Sequence, residues 1–150
     1  AQFEKVMGIL EDAEVAGLLP VLGGSESIPR CNEGYYIQPT IFSNLSRDQF
    51  IANQEVFGPV LAVMPYKNLK EAIDIANGTQ YGLSAYIYAK DNATAEPIAQ
   101  QMRCGMVHIN GAPLLAEAPF GGYKQSGNGR EWGLYGLHEF LEVKAVMKTS

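Results

Sequence analysis

The segment that decides the fold is FGPVLAVMPYKNLKEAIDIANGTQYGLSAYIYAKDNATAEPIAQQMRCGMVHIN, residues 57–110. Apolar runs with strand composition alternate in it with stretches of helical periodicity, which predicts strands over 57–66, 83–89 and 107–110 and helices over 68–76 and 93–102. Asn68, with Glu71 three residues later, is a capping-box pattern at the start of the first helix. Helices of about ten residues are long enough for right-handed crossovers between strands. This β-α-β-α-β order therefore predicts a parallel sheet and an α/β fold.

The flanking sequence adds elements on both sides of this segment. Apolar residues spaced three and four apart predict an amphipathic helix over 2–16, which Gly17 ends. Strand composition recurs over Leu18–Leu22 and Tyr35–Leu45, although Pro39 limits the second to a sheet edge or a bend. Beyond residue 110 the sequence predicts a long ordered loop, a helix and a strand-like tail with little core of its own to join: Gly111–Gly129, Arg130–Leu141 and Val143–Thr149.

Composition and charge narrow the function classes. The 150 residues carry a net charge of −5, so a basic face for nucleic acid is not expected. No apolar run approaches the roughly 18 residues that a membrane span needs, and the acidic start does not resemble a signal peptide. Two cysteines cannot make a disulfide framework, which predicts a reducing, cytoplasmic setting. Two cysteines and two histidines also show no zinc-ligand spacing, so no metal site is expected.

Glu55 and Phe57 are the first candidate site residues. Gly58-Pro59 fixes a turn just before a buried strand, so both residues stand at the entrance of that strand. A carboxylate beside an aromatic ring can accept hydrogen bonds from ribose hydroxyls and pack on a flat ring. The alternative is a solvated Glu and a core Phe, and spacing alone favours that alternative.

The glycine-rich stretch over residues 119–131 is the second candidate. Such loops can cradle phosphates at a helix start, but this one matches neither Gly-x4-Gly-Lys-Ser/Thr nor Gly-x-Gly-x-x-Gly. A structural loop is therefore the preferred interpretation. Cys31, which Arg30 could activate somewhat, and Cys104 lie in no nucleophile-like arrangement with His108 or His138, and we interpret both as incidental thiols.

Six blocks in collinear order resemble the C-terminal part of the aldehyde dehydrogenase superfamily. They are GYYIQPTIF (34–42), EVFGPV (55–60), ANGTQYGL (76–83), GMVHIN (105–110), PFGGYKQSG (119–127) and GRE (129–131). Each block is weak alone, and the six together are specific. The resemblance implies a three-layer αβα fold with a mostly parallel sheet. It also implies a catalytic-domain part over residues 1–126, a C-terminal helix over 127–141 and an oligomerisation strand over 142–150.

The resemblance further implies oxidation of an aldehyde to a carboxylic acid with NAD or NADP. On this basis Glu55 would hold the nicotinamide ribose hydroxyls and Phe57 would pack near the nicotinamide ring. Phe120 would line the aldehyde pocket, with the loop from Asn110 to Ala118 as part of its wall. The tail Val143–Thr149 would pair with another subunit of a homo-oligomer, a dimer or a tetramer.

One departure from the family pattern is important. The family's nucleophilic cysteine lies in a Gly-Gln-x-Cys-type motif, and neither cysteine of this chain does. These residues are therefore expected to be a C-terminal fragment of an NAD(P)-dependent aldehyde dehydrogenase, with no catalytic residue of its own and inactive in isolation. The alternative is a free-standing, non-enzymatic module with the same fold that acts in binding or assembly. A third hypothesis, a thiol enzyme with Cys31 as nucleophile, predicts fast alkylation of Cys31.

Overall fold

The computed structural model describes residues 1–29 and 33–149, so Cys31 lies outside the described residues. The chain divides into two compact units, Ala1–Glu71 and Ala72–Ser150. Each unit contains a two-stranded parallel sheet. The α/β class and the β-α-β-α-β order over residues 57–110 are confirmed. The predicted parallel pairing is also found: the strand over 60–62 pairs with a strand upstream of residue 57, and the strands over 84–87 and 106–109 pair with each other in a second sheet.

The first unit is built on helix α1, Gln2–Val15. Val6, Leu10 and Ala13 form its buried face, and these residues pack with other apolar side chains of the unit: Phe42, Leu45, Ile51 and Val56. The helix ends at Val15, and Gly17 follows its C-cap as the predicted stop, with a φ of 81°, the left-handed conformation that glycine adopts without strain.

The sheet of the first unit joins β1, Thr40–Phe42, to β2, Val60–Ala62. Both strands are shorter than predicted, because Pro39 and Pro59 stand directly before them and proline has no N–H for the ladder. The prediction that the second strand is buried is wrong in this unit, since Leu61 is 56% exposed. The strand predicted over 18–22 is also wrong: the segment joins the sheet only through an isolated antiparallel bridge between Leu22 and Ile41, in which the N–H of Val21 donates to Ile41 and the N–H of Ile41 donates to Leu22.

Helix α2, Leu69–Asn77, lies across the division between the units. Asn68 caps it as predicted, with its side-chain oxygen 3.0 Å from the backbone N–H of Glu71. The Glu71 carboxylate accepts from the N–H of Lys67 at 2.6 Å rather than from that of Asn68. The capping box therefore forms with a shift of one residue.

The second unit contains β3, Ser84–Ile87, α3, Asn92–Ala99, and β4, Met106–Ile109. The strands pair in parallel, with Ser84 opposite Met106 and Ile87 opposite Ile109. Asp91 caps α3 by accepting from the N–H of Thr94 at 2.8 Å. The predicted parallel crossover is confirmed here.

The chain after β4 differs from the prediction. A 3₁₀ turn forms over Lys124–Ser126, and helix α4 spans only Gly133–His138. The prediction of a helix from Arg130 to Leu141 is wrong in extent, because Glu131 pairs with Phe120 as an antiparallel bridge and Trp132 has a φ of 64°. No regular secondary structure forms over 142–149, and Val143 is 99% exposed. The predicted strand is therefore not formed within this chain, and its pairing with another subunit stays a prediction.

Candidate functional site

Phe57 is displayed to solvent from a strained turn in the first unit. Its φ is 55°, a region in which a bulky residue is a genuine outlier. Its side chain is 73% exposed, so the alternative of a core Phe is not what the structure shows. Strain of this kind persists only where the surroundings fix the backbone, and it is concentrated at functional sites.

The contacts on both sides of Phe57 fix this conformation. Val56 is buried in the core of the unit. The side-chain amide of Gln2 donates to the carbonyl oxygen of Phe57 at 2.9 Å. A Cβ on Gly58 would lie 2.9 Å from a methyl carbon of Val6, so only glycine lets α1 approach the turn this closely. The buried residue, the bond and the close approach together turn the phenyl ring outward.

Glu55 lies two residues before Phe57 and is also exposed. Its carboxylate has no hydrogen-bond partner in the part of the chain that the structure describes. One turn therefore presents an acceptor-only group and an unstacked aromatic ring. A ligand that carries hydroxyl donors next to a flat ring matches this pair of side chains.

The second candidate surface lies in the second unit, where backbone segments that contain glycine pack directly on each other. A Cβ on Gly105 would lie 1.8 Å from the carbonyl oxygen of Gly121, and a Cβ on Gly82 would lie 2.5 Å from the carbonyl oxygen of Arg103. The Gly82 carbonyl accepts from Gly105 at 3.0 Å and from Tyr123 at 2.9 Å. These glycines therefore let one backbone lie directly on another, which supports the structural interpretation of the glycine-rich stretch.

Two cations hold this loop in place. The ammonium of Lys124 donates to the carbonyl oxygens of Asn77 and Thr79, both at 2.9 Å. The guanidinium of Arg130 donates to the carbonyl of Gly122 at 2.9 Å and lies 5.4 Å from the Tyr123 ring centroid. Both side chains are occupied by backbone and ring contacts, which argues against a role in binding phosphate.

Phe120 is fixed by this loop and contacts a residue that the sequence did not single out. Its N–H and C=O each bond to Glu131 at 2.7 Å. Its ring lies 5.0 Å from the ring of Trp132, centroid to centroid, with 43° between the planes. Trp132 is 42% exposed. No periodicity marks Trp132, since it lies where the sequence predicts the first turn of a helix.

Two open clefts flank this aromatic pair. The first, here called the loop cleft, has a volume of about 310 Å³ and is lined by Gly105–His108, Ala112–Leu115, Ala118, Pro119 and Trp132. The second, of about 300 Å³, is lined by Leu83, Phe120–Gly122, Ser126, Gly127, Gly129–Glu131 and Glu139. The structure thus brings part of the predicted wall, Ala112–Leu115 and Ala118, together with Trp132, and it puts Phe120 in the neighbouring cleft.

His108 lies in the wall of the loop cleft and is buried. Its Nδ1 lies 2.8 Å from the carbonyl oxygen of Ala112, and since a carbonyl only accepts, this nitrogen carries the proton. The ring stacks on Tyr86 at 4.7 Å. Its Nε2 is buried and has no hydrogen-bond partner among residues 1–29 and 33–149. His108 therefore ties the start of the loop to β4 in one tautomer.

Cys104 does not have the surroundings of a nucleophile. It is half-buried, and its thiol donates to the carbonyl oxygen of Met106 at 3.1 Å. Burial raises the pKa of this thiol, against smaller lowering effects of hydrogen bonds and of Lys124. Activated cysteines have lowered pKa values, so the interpretation of Cys104 as incidental is supported. The corresponding interpretation of Cys31 concerns a residue outside the described ones.

Residues 1–29 and 33–149 contain no group of three or more His, Cys, Asp or Glu side chains placed to hold a metal ion. Over the same residues, no helix is long and apolar enough to cross a bilayer.

The described residues form part of an α/β protein in which the exposed candidate residues Glu55 and Phe57 lie in a turn and the loop cleft is lined in part by the chain after β4. The aldehyde dehydrogenase family model matches residues 1–146. The chain therefore belongs to the aldehyde dehydrogenase family, as its six sequence blocks predicted.

Individual relatives agree with this assignment. The 3-succinoylsemialdehyde-pyridine dehydrogenase of a Pseudomonas species is 51% identical over 97% of this chain and 31% of its own length. A putative aldehyde dehydrogenase of Staphylococcus haemolyticus is 46% identical over 97% of this chain and 30% of its own. The chain thus spans about a third or less of the curated relatives it matches.

Solved structures give the same result for the fold. Aldehyde dehydrogenase C of Pseudomonas syringae, a variant in complex with NAD+ and octanal, superposes with a TM-score of 0.92 at 41% identity, over 97% of this chain and 30% of its own. The Mycobacterium tuberculosis aldehyde dehydrogenase in complex with NAD+ superposes with a TM-score of 0.87 at 38% identity, over 93% and 29%.

Proposed function

We propose that the intact protein containing these residues is an NAD-dependent aldehyde dehydrogenase that oxidises an aldehyde to a carboxylic acid. The observation that carries the proposal is the turn at Phe57. It displays an exposed ring in a strained conformation, beside the unpartnered carboxylate of Glu55, within a chain of this family.

We assign the cofactor-facing role to this turn. The Glu55 carboxylate accepts hydrogen bonds from the ribose hydroxyls, and the Phe57 ring packs near the nicotinamide. When bound, the cofactor supplies the acceptor for the hydride that leaves the substrate. NAD is favoured over NADP because two relatives have been solved with NAD+. The fixed backbone of the turn lowers the entropy lost when the ligand orders these side chains.

The aldehyde-facing role belongs to the loop cleft and to Phe120. The loop enters the cleft from Asn110, whose side-chain oxygen accepts from the N–H of Ala89 at 2.9 Å. The relatives support an aldehyde as substrate, since one is named for a semialdehyde and another binds octanal. No described residue of this chain has the surroundings of the nucleophile, so the proposal takes the covalent chemistry to reside elsewhere in the intact protein.

Two further parts of the proposal concern the protein's location and its oligomeric state. We propose that it works in the cytoplasm, as its cysteine usage predicts. We also propose a homo-oligomer in which Val143–Thr149 pairs with a second subunit. The exposure of Val143, Val146 and Met147 within this chain supports this pairing. Light scattering of the intact protein, with and without residues 143–149, tests it.

The test of the activity is NADH formation by the intact protein with a panel of aldehydes, and it uses the Glu55→Gln variant. We expect this variant to raise the KM for NAD about tenfold, as for a lost hydrogen bond to a charged group, and to leave the KM for the aldehyde unchanged. Glu11→Gln, an exposed carboxylate on α1, is the matched control and should change neither value. No NADH with any aldehyde would contradict the proposal and favour the non-enzymatic module.

Two substitutions of Phe57 distinguish the effect of its strained backbone on NAD binding from the effect of its aromatic ring. Phe57→Gly relieves the positive φ and deletes the ring, whereas Phe57→Leu keeps the strain and replaces the ring by an aliphatic group. If the ring packs near the nicotinamide, both variants weaken NAD binding. If only the backbone matters, Phe57→Gly binds NAD as the wild type does.

A further inference from the structure

Among the described residues that line the loop cleft, Trp132 has the most strained backbone. Its φ is 64° and its ψ is 163°, a combination that only glycine adopts readily. A tryptophan gains nothing from this geometry by itself. Contacts of the neighbouring residues must therefore hold Trp132 in this conformation, and they also fix the position of its indole ring.

The enforcement comes from both sides of the residue. Upstream, Glu131 makes two backbone bonds of 2.7 Å to Phe120. Downstream, the N–H of Gly133 donates to the carbonyl of Ala116 at 3.2 Å, and a Cβ on Gly133 would lie 2.4 Å from the carbonyl oxygen of Glu117. The backbone is thus held on both sides of Trp132, and the residue is fixed in the lining of the loop cleft.

In that position the indole has two neighbours of different kind. The first neighbour is the Phe120 ring, whose centroid lies 5.0 Å from that of the Trp132 ring. The second neighbour is the loop cleft, whose lining is otherwise almost entirely apolar and includes Met106, Val107, Pro113, Leu114 and Leu115. His108 is the sole ionisable side chain in the described lining, and its Nδ1 is occupied by Ala112.

From this arrangement we propose that Trp132 is a specificity-determining residue: its indole forms the end wall of a pocket for the apolar tail of the aldehyde, and it sets the position of the Phe120 ring. This inference rests on the proposed function. It commits the substrate class to aldehydes with an apolar chain or ring behind the carbonyl. Small or charged aldehydes leave the cleft unfilled or bring an unpaired polar group into it.

The chemistry of the lining supports this class. The methyl and methylene groups of the leucines and Met106 can contact a hydrocarbon, and the indole adds a large rigid surface at a low entropy cost, because tryptophan has only two side-chain torsions. A volume of about 310 Å³ lies at the lower end of the range for small-molecule sites. It suits a tail of a few carbons better than a large ligand.

The test compares kcat/KM for hexanal with kcat/KM for acetaldehyde in the intact protein. Trp132→Gly deletes the wall and relieves the backbone strain, and Trp132→Phe keeps an aromatic wall of smaller size. We expect Trp132→Gly to lower the hexanal-to-acetaldehyde ratio about tenfold, which is the scale of one lost apolar contact, with the KM for NAD unchanged. Trp132→Phe should recover most of the ratio.

Tyr135→Ala is the matched control. Tyr135 is an exposed aromatic residue of α4, three residues after Trp132, and its ring contacts His138 and lines neither cleft. This variant should keep the wild-type ratio. If the two Trp132 variants lower kcat/KM equally for both aldehydes, or leave both unchanged, Trp132 is only structural and the inference fails.

A binding measurement separates this inference from the proposed function. Trp132 is the only tryptophan of the 150 residues, so the emission of wild-type protein minus that of Trp132→Phe reports on this indole. Hexanamide, an unreactive analogue, should change that difference saturably, whereas acetamide should not. If no aldehyde is oxidised yet hexanamide binds, the proposed function fails and the pocket stands. If enzyme activity is present and hexanamide leaves the emission unchanged, the pocket inference fails alone.

Discussion

Replacement of Gly105 by alanine is a sharp test of how the loop that carries Phe120 is built. The new Cβ would lie 1.8 Å from the carbonyl oxygen of Gly121, and real Cβ contacts are essentially never closer than 3.0 Å. The two backbones must therefore separate by about 1.2 Å. Neither atom belongs to a flexible side chain, so no rotamer change relieves the overlap.

The size of the effect follows from the bonds at this crossing. Gly105 and Tyr123 both donate to the carbonyl of Gly82, at 3.0 and 2.9 Å, and a separation of this size would lengthen such a bond beyond 4 Å. A lost buried hydrogen bond costs about 1–3 kcal/mol, and overpacking costs a similar amount. We therefore expect Gly105→Ala to lower the free energy of unfolding by roughly 3–5 kcal/mol.

The assay is thermal unfolding of the intact protein, with Gly129→Ala as control. Gly129 lies in the same loop, a Cβ there would meet nothing within 4 Å, and its φ is not in the left-handed region. The control should stay within about 0.5 kcal/mol of wild type. If Gly105→Ala unfolds at the wild-type temperature, the close approach of Gly105 to Gly121 is wrong, and with it the account of how Phe120 is positioned.

Three further predictions concern single contacts. Asp91→Ala removes the cap of α3 and should speed amide exchange at Thr94. Because hydrogen bonds from Thr94 lower the pKa of this carboxylate, its stabilising effect should be present near neutral pH and be lost as the pH falls through that lowered pKa, so wild type and variant should converge in acid. Glu14→Ala removes the acceptor for both the N–H and the hydroxyl of Ser25, at 2.8 and 2.6 Å, and should cost about 1–3 kcal/mol in a denaturation series, whereas Glu14→Gln should recover part of it. Iodoacetamide should alkylate folded Cys104 more slowly than the same residue in urea, as measured by peptide mass spectrometry, because burial raises its pKa; an equal rate would contradict the half-buried position.

The helices and the order of elements could be predicted because their signals are local. Residues 2–16 carry a 3.6-residue apolar period, and Asn68 and Asp91 are side-chain caps that act within three or four residues. Strand bounds were predicted too long because pairing is decided by a partner elsewhere in the chain. Proline at 39 and 59 limits how far such pairing can extend, and a sequence shows the proline but not the partner.

The site was predictable to different degrees. Spacing alone favoured a core Phe at position 57, and the family resemblance, rather than any local pattern, marked it as a ligand-facing residue. Trp132 was missed because it reads as part of a helix from Arg130 to Leu141. What excludes that helix is the bridge from Glu131 to Phe120 and the approach of Gly133 to Glu117. Both are tertiary contacts between residues more than ten positions apart.

Phe57 and Trp132 point to a common way of presenting an aromatic ring from this fold. Each has a positive φ, and each is followed by a glycine whose missing Cβ permits a close approach: Gly58 to Val6, and Gly133 to the backbone of Glu117. The close contact of the glycine fixes the chain after the aromatic residue. The aromatic residue therefore takes the positive φ that the turn requires, and its side chain stays at the surface. Strain of about 1–3 kcal/mol at each such residue can be offset only by the packing that the glycine allows. It follows that enlarging Gly58 or Gly133 should weaken ligand binding through the neighbouring ring, although neither glycine need touch a ligand.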